Sequence, residues 1–356
     1  MTMSSRILRT LAVAATTLLA ATTLTACGSD DEAGAKGGDA GTLRLGYFPN
    51  ITHAPALVGV KNNIFQDALG TTKLDAKTFN AGPAAIEALF SGAIDATYIG
   101  PNPAINGWAT SKGTALKIIA GSTSGGAGLV VKPGIADAAG LKGKKIATPQ
   151  LANTQDVALR FWLKKNGLNA DQQGGGDVSV LPQENATAVQ AFAQGAIDGA
   201  WVPEPNLSRM VIESGGKILV NEKDLWPGGQ FVTTHLIVSQ KFLKEHPDSV
   251  KKLLQGHINA VKYINDNNAE AQKAANEQLG ALSGKPLKPE ILAAAFKNLT
   301  FTNDPIAPSL FTSAQHAQDV GLLKPVDLNG IYDLKPLNEL LKAAGQPEVS
   351  DQAAAS

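Results

Sequence analysis

Residues 85–99 read AIEALFSGAIDATYI, and residues 188–202 read AVQAFAQGAIDGAWV. Each copy places apolar residues at helical spacing, then Gly-Ala-Ile-Asp, and then an aromatic residue followed by an aliphatic one. Gly92 and Gly195 predict the end of a helix in each copy, because glycine adopts a left-handed conformation at little cost. A short buried strand is expected after each glycine. The repeat therefore predicts an α/β protein with two similar lobes.

Proline-containing turns follow both copies, at residues 100–103 and 203–205. In open α/β sheets, ligands bind outside the carboxyl ends of the strands, which is where these turns would lie. A third polar and glycine-rich segment, residues 121–126, is also predicted to be a loop. We therefore expect a ligand cleft between the two lobes.

The order of strand and helix signals predicts how the lobes are assembled. Residues 42–131 together with 235–356 are assigned to lobe 1, and residues 132–234 to lobe 2. Two segments of similar pattern, 128–131 and 235–238, are expected to pair with each other. They would be the two strands that cross between the lobes and form the hinge.

The first residues predict a secretion signal, residues 1–26. Arg6 and Arg9 give it a positive start, and residues 7–24 are apolar or small. The signal ends in Leu-Thr-Ala before Cys27, which resembles the bacterial lipobox, where the cysteine receives diacylglycerol and palmitate. Cys27 is the only cysteine of the chain, so a structural disulfide is excluded.

The segment after the signal, residues 27–41, is predicted to be a lipidated and flexible tether, because it is rich in glycine and charge and cannot form a core. Two acyl chains would hold it stably at a membrane. We therefore expect a protein outside the cytoplasm, anchored to the cell membrane by lipid. The alternatives are a buried free thiol at Cys27 and an uncleaved anchor, although many alanines and threonines make the apolar stretch a weak membrane span.

The composition argues against several classes of function. Basic and acidic residues balance at 31 each, so no basic surface for nucleic acid is expected. The chain has no P-loop, no dinucleotide-binding glycine pattern and no His-Glu-x-x-His motif, and its five histidines are scattered without ligand spacing. We expect no metal, no cofactor and no enzyme activity. His53 could still act as a general base, but a role in ligand contact or in the core is favoured.

A further set of segments carries a resemblance. They are residues 45–47, 79–83, 92–95 with Gly100 and Pro103, 141–147, 153–155, 195–201, 203–205 and 246–247. On these segments the chain resembles the substrate-binding proteins of ABC importers for aliphatic sulfonates, taurine and nitrate. The family implies a type II periplasmic-binding fold, in which two α/β lobes are joined by two crossing strands and close over a ligand.

The resemblance also implies which residues contact the ligand. They lie at turns, at helix starts and on two strands: Tyr47, Phe48, Asn50, His53, Asn80, Gly82, Pro83, Gly100, Asn102, Ser122, Thr123, Gln150, Asn153, Thr154, Gln155, Trp201 and Glu204. A capping or turn role is the alternative for most of them, and a core role is the alternative for Trp201. Helix starts and polar turns bind anions without needing a net charge.

Glu204 leaves the ligand class open. A carboxylate beside a bound sulfonate would repel it. If Glu204 faces the cleft, it favours a zwitterion such as taurine, or a thiamine-precursor pyrimidine or related vitamin; if it points to solvent, a simple anion fits.

The preferred hypothesis is an extracytoplasmic solute receptor that captures a small anionic or zwitterionic ligand, most simply an aliphatic sulfonate, taurine or nitrate. It would deliver this ligand, as a monomer, to the permease subunits of an ABC importer. An enzyme on the same scaffold, for example one of thiamine-pyrimidine synthesis, is the competing hypothesis.

Overall fold

The computed structural model describes residues 38–352, so the predicted signal sequence, Cys27 and the tether as far as residue 37 lie outside the described residues. The strands are β1 (Thr42–Tyr47), β2 (Lys73–Thr78), β3 (Ala96–Ile99), β4 (Leu116–Gly125), β5 (Ala127–Val131), β6 (Lys145–Thr148), β7 (Ser179–Pro182), β8 (Gly199–Pro203), β9 (Lys217–Asn221), β10 (Val232–Ser239) and β11 (Leu299–Phe301). The helices are α1 (Ala54–Lys61), α2 (Ile64–Leu69), α3 (Gly82–Phe90), α4 (Pro101–Thr110), α5 (Thr154–Lys165), α6 (Asn185–Ala193), α7 (Asn206–Ser214), α8 (Gln240–Glu245), α9 (Pro247–Asp266), α10 (Asn268–Ser283), α11 (Pro289–Lys297), α12 (Ala307–Asp319) and α13 (Lys335–Ala343). Within residues 38–352, no helix combines the length and the apolar character that crossing a membrane requires.

The strands form two mixed sheets of similar design. The first has the order β11-β4-β10-β3-β1-β2, and the second has the order β7-β6-β8-β5-β9. In each sheet three strands run parallel, β2-β1-β3 in one and β7-β6-β8 in the other, and an antiparallel strand lies beside the last of them. Mixed α/β architecture with two related halves is therefore confirmed.

The repeated passage occupies the same place in both sheets. Helices α3 and α6 cover the same nine positions of the two copies, and β3 and β8 follow them as buried strands. Gly92 (φ 72°) and Gly195 (φ 79°) end the two helices in the left-handed conformation, as predicted. In the second sheet, apolar side chains alternate between two buried clusters, so that both faces of β5 and β8 are covered.

The aspartate of each copy holds its helix–strand connection to a neighbouring strand. Asp95 Oδ2 accepts from the backbone N–H of Arg44 (2.8 Å), and the backbone N–H of Asp95 donates to Arg44 O. Asp198 makes the same pair of hydrogen bonds with the backbone of Lys145. The aspartate of the Gly-Ala-Ile-Asp pattern thus has a structural role. It fixes the register of β3 against β1 and of β8 against β6.

The prediction that residues 128–131 and 235–238 pair with each other is wrong. The first segment lies in β5, which pairs with β8 and β9 in the second sheet, whereas the second lies in β10, which pairs with β3 and β4 in the first sheet. The chain passes from one sheet to the other at Gly125-Gly126, between β4 and β5. The return passage leads into β10, where Val232 lies opposite Ser124.

The prediction of a loop at residues 121–126 is also wrong for most of its length. Strand β4 continues to Gly125, because β10 pairs with it on one side and β11 on the other. The structure also holds the described end of the predicted tether: Ala40 N–H donates to Ser249 Oγ (2.7 Å), and Thr72 Oγ1 donates to Ala40 O (2.7 Å). Ala40, near the end of the predicted tether, therefore belongs to the folded part.

Candidate ligand-binding site

A small cavity of about 20 Å³ lies where the parallel strands of both sheets end. On the side of the first sheet it is bounded by residues that follow β1, β2 and β3. On the other side it is bounded by residues that follow β6 and β7 and by the last residue of β8. Its lining comprises Phe48, Asn50, Thr52, His53, Asn80, Gly100, Pro149, Asn153, Thr154, Gln155, Asn185, Pro203 and Thr233. This is the position that strand order predicts for a ligand.

The start of α5 supplies the donors of this cavity. Asn153 caps the helix, since its Oδ1 accepts from the backbone N–H of Thr154 (2.9 Å). Within residues 38–352, the backbone N–H of Gln155 has no acceptor. Thr154 is 95% buried, and its hydroxyl has no partner among the described residues. Buried donors without acceptors are costly, and a helix start favours negative charge, so both features fit a bound anion.

The turn before α5 is held in place by a buried aspartate. Asp156 Oδ1 accepts from Thr148 Oγ1 (2.8 Å), and Oδ2 accepts from the backbone N–H of Ala152 (2.9 Å). The buried Arg160 guanidinium pairs with the same carboxylate through Nε (3.1 Å). Ala152 adopts a positive φ of 61°, a strained conformation that these bonds stabilise. The helix start is therefore preorganised.

His53 enters the cavity as a neutral ring. Burial lowers the pKa of His53 to about 3, so the imidazole carries no charge near pH 7. Its Nδ1 accepts from the backbone N–H of Phe48 (3.3 Å), which places the proton on Nε2. The ring also stacks on Phe48, with centroids 4.4 Å apart. His53 can thus donate one hydrogen bond to a ligand oxygen.

The cavity contains no charged side chain. Every residue in its lining is an uncharged amide, hydroxyl, histidine, proline, glycine or phenylalanine residue. Its chemistry therefore consists of neutral donors and the dipole of α5, an arrangement that can bind an anion without a salt bridge. Among residues 38–352, no group of three or more histidines, cysteines or carboxylates is placed to hold a metal ion.

The structure brings several of the predicted residues together around this cavity: Phe48, Asn50, His53, Asn80, Gly100, Asn153, Thr154 and Gln155. Gly82 and Pro83 lie at the first turn of α3, and Gln150 lies in the turn before α5, outside the lining. The Tyr47 hydroxyl accepts from Gln278 (3.0 Å), and Asn102 donates to Ser313 O (3.2 Å).

Three of the predicted residues are buried inside sheets. Ser122 and Thr123 are completely buried in β4, and their hydroxyls lie 3.5 Å apart. Trp201 is completely buried in β8 and donates from Nε1 to Glu222 Oε2 (2.7 Å). These positions do not line the cavity.

Glu204 is also outside the lining of the cavity, and it is completely buried. Its carboxylate accepts from the backbone N–H and the hydroxyl of Ser208 and from Asn298 Nδ2 (2.7 Å). Burial raises the pKa of Glu204, while these hydrogen bonds oppose the shift. Asn298 lies directly before β11 of the first sheet and Glu204 directly after β8 of the second, so the carboxylate connects the two halves of the protein.

The lining contains residues that the sequence did not single out as ligand contacts: Thr52, Pro149, Asn185, Pro203 and Thr233. Asn185 could have been found, because it occupies in the second copy the place that Gly82 occupies in the first, at the helix start. Thr233 carries no local signal, since its position depends on the pairing of β10 with β4.

Three named proteins have sequences similar to that of this chain. A Brucella abortus protein named only as a binding protein is 30% identical over 215 residues, which are 60% of this chain and 63% of that protein. The match thus spans less than two thirds of that relative. A Bacillus subtilis protein, provisionally named an aliphatic sulfonates-binding protein, is 28% identical over 304 residues, covering 82% of this chain and 85% of that protein. The taurine-binding periplasmic protein of Escherichia coli is 27% identical over 237 residues, covering 65% and 70%.

Among solved structures, the alkanesulfonate-binding protein of Xanthomonas axonopodis pv. citri, bound to MOPS, superposes with a TM-score of 0.69 at 21% identity. The match covers 83% of this chain and 99% of that chain, and it shows a shared fold. The profile of the NMT1-like family matches residues 37–278, which is more than half of the chain. The chain therefore belongs to the NMT1-like family.

Proposed function

We propose that the protein is the solute receptor of an ABC importer, acting outside the cytoplasm, and that its ligand is a small organic anion, most simply an aliphatic sulfonate. The observation that carries this proposal is the uncharged cavity at the start of α5, where the Thr154 hydroxyl and the Gln155 N–H have no partner among residues 38–352. The relatives named for sulfonates and taurine support the same class of ligand.

A sulfonate suits the chemistry of this cavity. It offers three acceptor oxygens, carries no proton near pH 7, and needs only donors around it. The neutral Thr154, Gln155 and His53 groups provide donors, and no carboxylate lines the cavity to repel the anion. Nitrate shares these properties but has no organic tail.

The vitamin alternative depended on Glu204 facing the ligand. Both oxygens of its carboxylate are occupied by Ser208 and Asn298, and the side chain is buried outside the cavity lining. A ligand with an ammonium group or ring N–H donors would therefore find no free carboxylate there. Glu204 therefore gives no reason to prefer taurine or a pyrimidine to a simple anion.

The receptor works by binding and closure, without a chemical step. Ligand contacts to residues of both halves, such as Asn50 and Gln155, would stabilise the closed arrangement in proportion to the difference in affinity between open and closed forms. The closed receptor, a monomer, would then dock on its permease.

Calorimetric titration of the purified protein with butanesulfonate, taurine, nitrate and a hydroxymethylpyrimidine tests the ligand class. Micromolar or tighter binding of butanesulfonate is expected, and binding of the pyrimidine alone would overturn the proposal. Asn153→Asp adds a negative charge at the helix start and should weaken butanesulfonate at least about tenfold. Asn166→Asp, at the far end of α5, is the matched control and should leave the affinity unchanged.

Lipid anchoring at Cys27 is a separate part of the proposal, resting on the signal-like residues 1–26 and the lipobox-like sequence before Cys27. Cys27→Ser should release the protein from the membrane fraction into the soluble fraction after cell breakage. A variant that stays with the membranes would remove the lipid anchor from the proposal while leaving the binding site untouched.

A further inference from the structure

Helices α5 and α12 form a contact between the two halves of the protein. Helix α5 packs on β5, β6 and β8 of the second sheet, and α12 packs on β10 of the first sheet. The start of α5 supplies the donors of the ligand cavity, whereas residues near its end contact α12. Phe161 follows Gln155 by six residues, which is about 9 Å along the helix axis. The contact therefore involves the helix that would bind the ligand, but it lies outside the ligand cavity.

A pair of stacked rings forms the centre of this contact. The centroids of the Phe161 and His316 rings are 3.6 Å apart, and their planes differ by 15°. Trp226, from the connection between β9 and β10, lies with its ring centroid 5.5 Å from that of His316. Trp226 also stacks on Phe231 of the same connection, with centroids 5.4 Å apart. The His316 ring of the first half is thus packed against aromatic rings of the second half and of the chain that returns from it.

Hydrogen bonds between the halves accompany the ring stack. Lys164 Nζ donates to Asp319 O at the end of α12, and Gln172 Nε2 donates to Gly321 O (3.0 Å) just beyond it. Like the ring stack, each of these bonds joins a residue of the second half to a residue of the first. A movement of the halves that separated α5 from α12 would therefore break all of them.

The described arrangement of the halves is a closed one. On the cleft side, Asn80 Nδ2 of the first half donates to Glu184 of the second (2.8 Å). Lys288 Nζ of the first half lies 3.5 Å from Glu213 of the second. The ligand cavity of about 20 Å³ has room for about one water molecule, so an organic anion can enter only if the halves separate. The contact between α5 and α12 therefore belongs to the closed arrangement.

We propose that the contact between α5 and α12 stabilises the closed arrangement from outside the ligand site, and that protonation of His316 weakens it, so that the receptor holds its ligand less tightly in acid. This inference rests on the proposed function, since it requires a ligand that is held by closure. Loss of the ring stack would lower the fraction of closed protein and with it the apparent affinity, even though neither ring lines the ligand cavity.

The surroundings of His316 make a positive charge there unfavourable. Burial lowers the pKa of His316 to about 4; Asp319 of α12 opposes this shift, and Lys165 of α5 adds to it. Glu222 lines a cavity together with His316, but burial raises the pKa of its carboxyl to about 7, so it is mostly neutral below that pH. In the open arrangement His316 loses the ring stack, and its pKa returns toward 6.5. The contribution of His316 to closure is therefore complete above about pH 6.5 and is lost as the pH falls toward 4.

Calorimetry with butanesulfonate at pH 7.5 tests the contact. Phe161→Ala and His316→Ala should each weaken binding by about two- to tenfold, which corresponds to the loss of one aromatic pair. The double variant should bind about as tightly as His316→Ala alone, because both substitutions remove the same pair. Wild-type affinity in the single variants, or fully additive losses in the double variant, would overturn the proposal. Phe90→Ala, at an exposed ring on α3, is the matched control and should bind as the wild type does.

The substitution His316→Phe tests the role of protonation, because it keeps a ring in the stack and removes the group that titrates. This variant should bind butanesulfonate about as tightly as the wild type at pH 7.5. Lowering the pH to 5 should weaken binding to the wild type at least about threefold more than binding to His316→Phe. The same pH dependence in both proteins would contradict the proposed acid sensitivity.

Small-angle X-ray scattering without ligand separates a failure of this inference from a failure of the proposed function. If no sulfonate binds to the wild type, the proposed function is wrong, but the effect of the contact on closure can still be measured. At pH 7.5 the double variant of Phe161→Ala and His316→Ala should have a larger radius of gyration than the wild type. An equal radius would show that the contact does not hold the halves together.

Discussion

The two copies of the repeated passage each form a helix followed by a strand, but they differ in the residues that surround equivalent positions. The aromatic residue of the first copy, Tyr98, hydrogen-bonds to buried His257 (2.8 Å), and that of the second, Trp201, donates to buried Glu222. Gly100 directly follows the first copy and Pro203 directly follows the second, and both line the cavity. The repeat thus specifies the frame, while residues outside it or next to it set the chemistry.

The largest expected effect is opposite pH dependence at the two aromatic positions. Burial lowers the pKa of His257 to about 4, so its contribution to stability is present above about pH 6.5 and is lost as the pH falls toward 4. Burial raises the pKa of Glu222 to about 7, so its contribution is lost as the pH rises from about 4.5 to 7. Each amounts to up to roughly 3 kcal/mol of unfolding free energy.

Urea unfolding between pH 4 and pH 8 measures this contrast. His257→Gln should reduce the slope on the acid side of the stability profile, where His53 and His235 also titrate, and Glu222→Gln should reduce the rise in stability toward low pH that the carboxyl provides. The quantity to compare is the slope of the unfolding free energy against pH, because either substitution also changes the unfolding free energy at every pH. If the two variants changed the same side of the profile, the contrast between the copies would be wrong.

The strand ends give the next effect. A Cβ at Gly100 would lie 2.4 Å from Thr154 Oγ1, so Gly100→Ala should push the start of α5 away from β3. Overpacking of this kind costs about 1–3 kcal/mol, and sulfonate affinity should fall more than about tenfold. Gly41→Ala is the matched control, since nothing lies within 4 Å of its Cβ. Calorimetry measures the loss of affinity, and thermal unfolding measures the loss of stability. Wild-type affinity in Gly100→Ala would show that ligand binding does not require the close contact between Gly100 and Thr154.

The two aspartates should differ in strength. Asp95 is almost fully buried and accepts from both the backbone and the side chain of Arg44, whereas Asp198 is half-buried and accepts from the backbone of Lys145. Asp95→Ala should lower the unfolding free energy by about 2 kcal/mol, and Asp198→Ala should lower it by about 1 kcal/mol. The difference is small because Arg44 is partly exposed, so solvent screens its ion pair with Asp95. Denaturant unfolding measures the difference, and equal losses would remove Arg44 from the explanation.

The effect confined to a single group concerns the Thr154 hydroxyl. Thr154→Val keeps the shape of the side chain and removes a donor that has no partner among residues 38–352. Sulfonate affinity should fall about tenfold, the value of a hydrogen bond to a charged group, while the protein becomes no less stable. Thr187→Val, on the exposed face of α6, is the control. An unchanged calorimetric affinity in Thr154→Val would mean that this hydroxyl does not contact the ligand.

Much of the frame could be predicted from the sequence because its signals are local. Gly92 and Gly195 end helices wherever the rest of the chain lies, and Asn153 caps α5 through its own side chain. Residues 121–125 form part of a strand despite their glycine and serine content, because β10 and β11 pair with β4 on its two sides. No local pattern encodes such long-range pairing.

The candidate site likewise combines features that local sequence signals predict with features that depend on long-range contacts. The start of α5 and the turn after β1 were found from capping residues and from family resemblance, and the structure places them together. The position of Thr233 and the burial of Glu204 against Asn298 depend on contacts between distant parts of the chain. They could be learned only from the folded structure.

The passage between the sheets has a mechanical consequence. At Gly125-Gly126 the chain leaves the first sheet, and Thr233 Oγ1 donates to Gly125 O (2.5 Å), so the outgoing and returning chains lie side by side. If the two halves rotated about this line, each residue would move by an amount proportional to its distance from the line. The cavity at the start of α5 includes Thr233, which lies beside that line. The same rotation would therefore displace this part of the cleft less than residues that lie farther from the line.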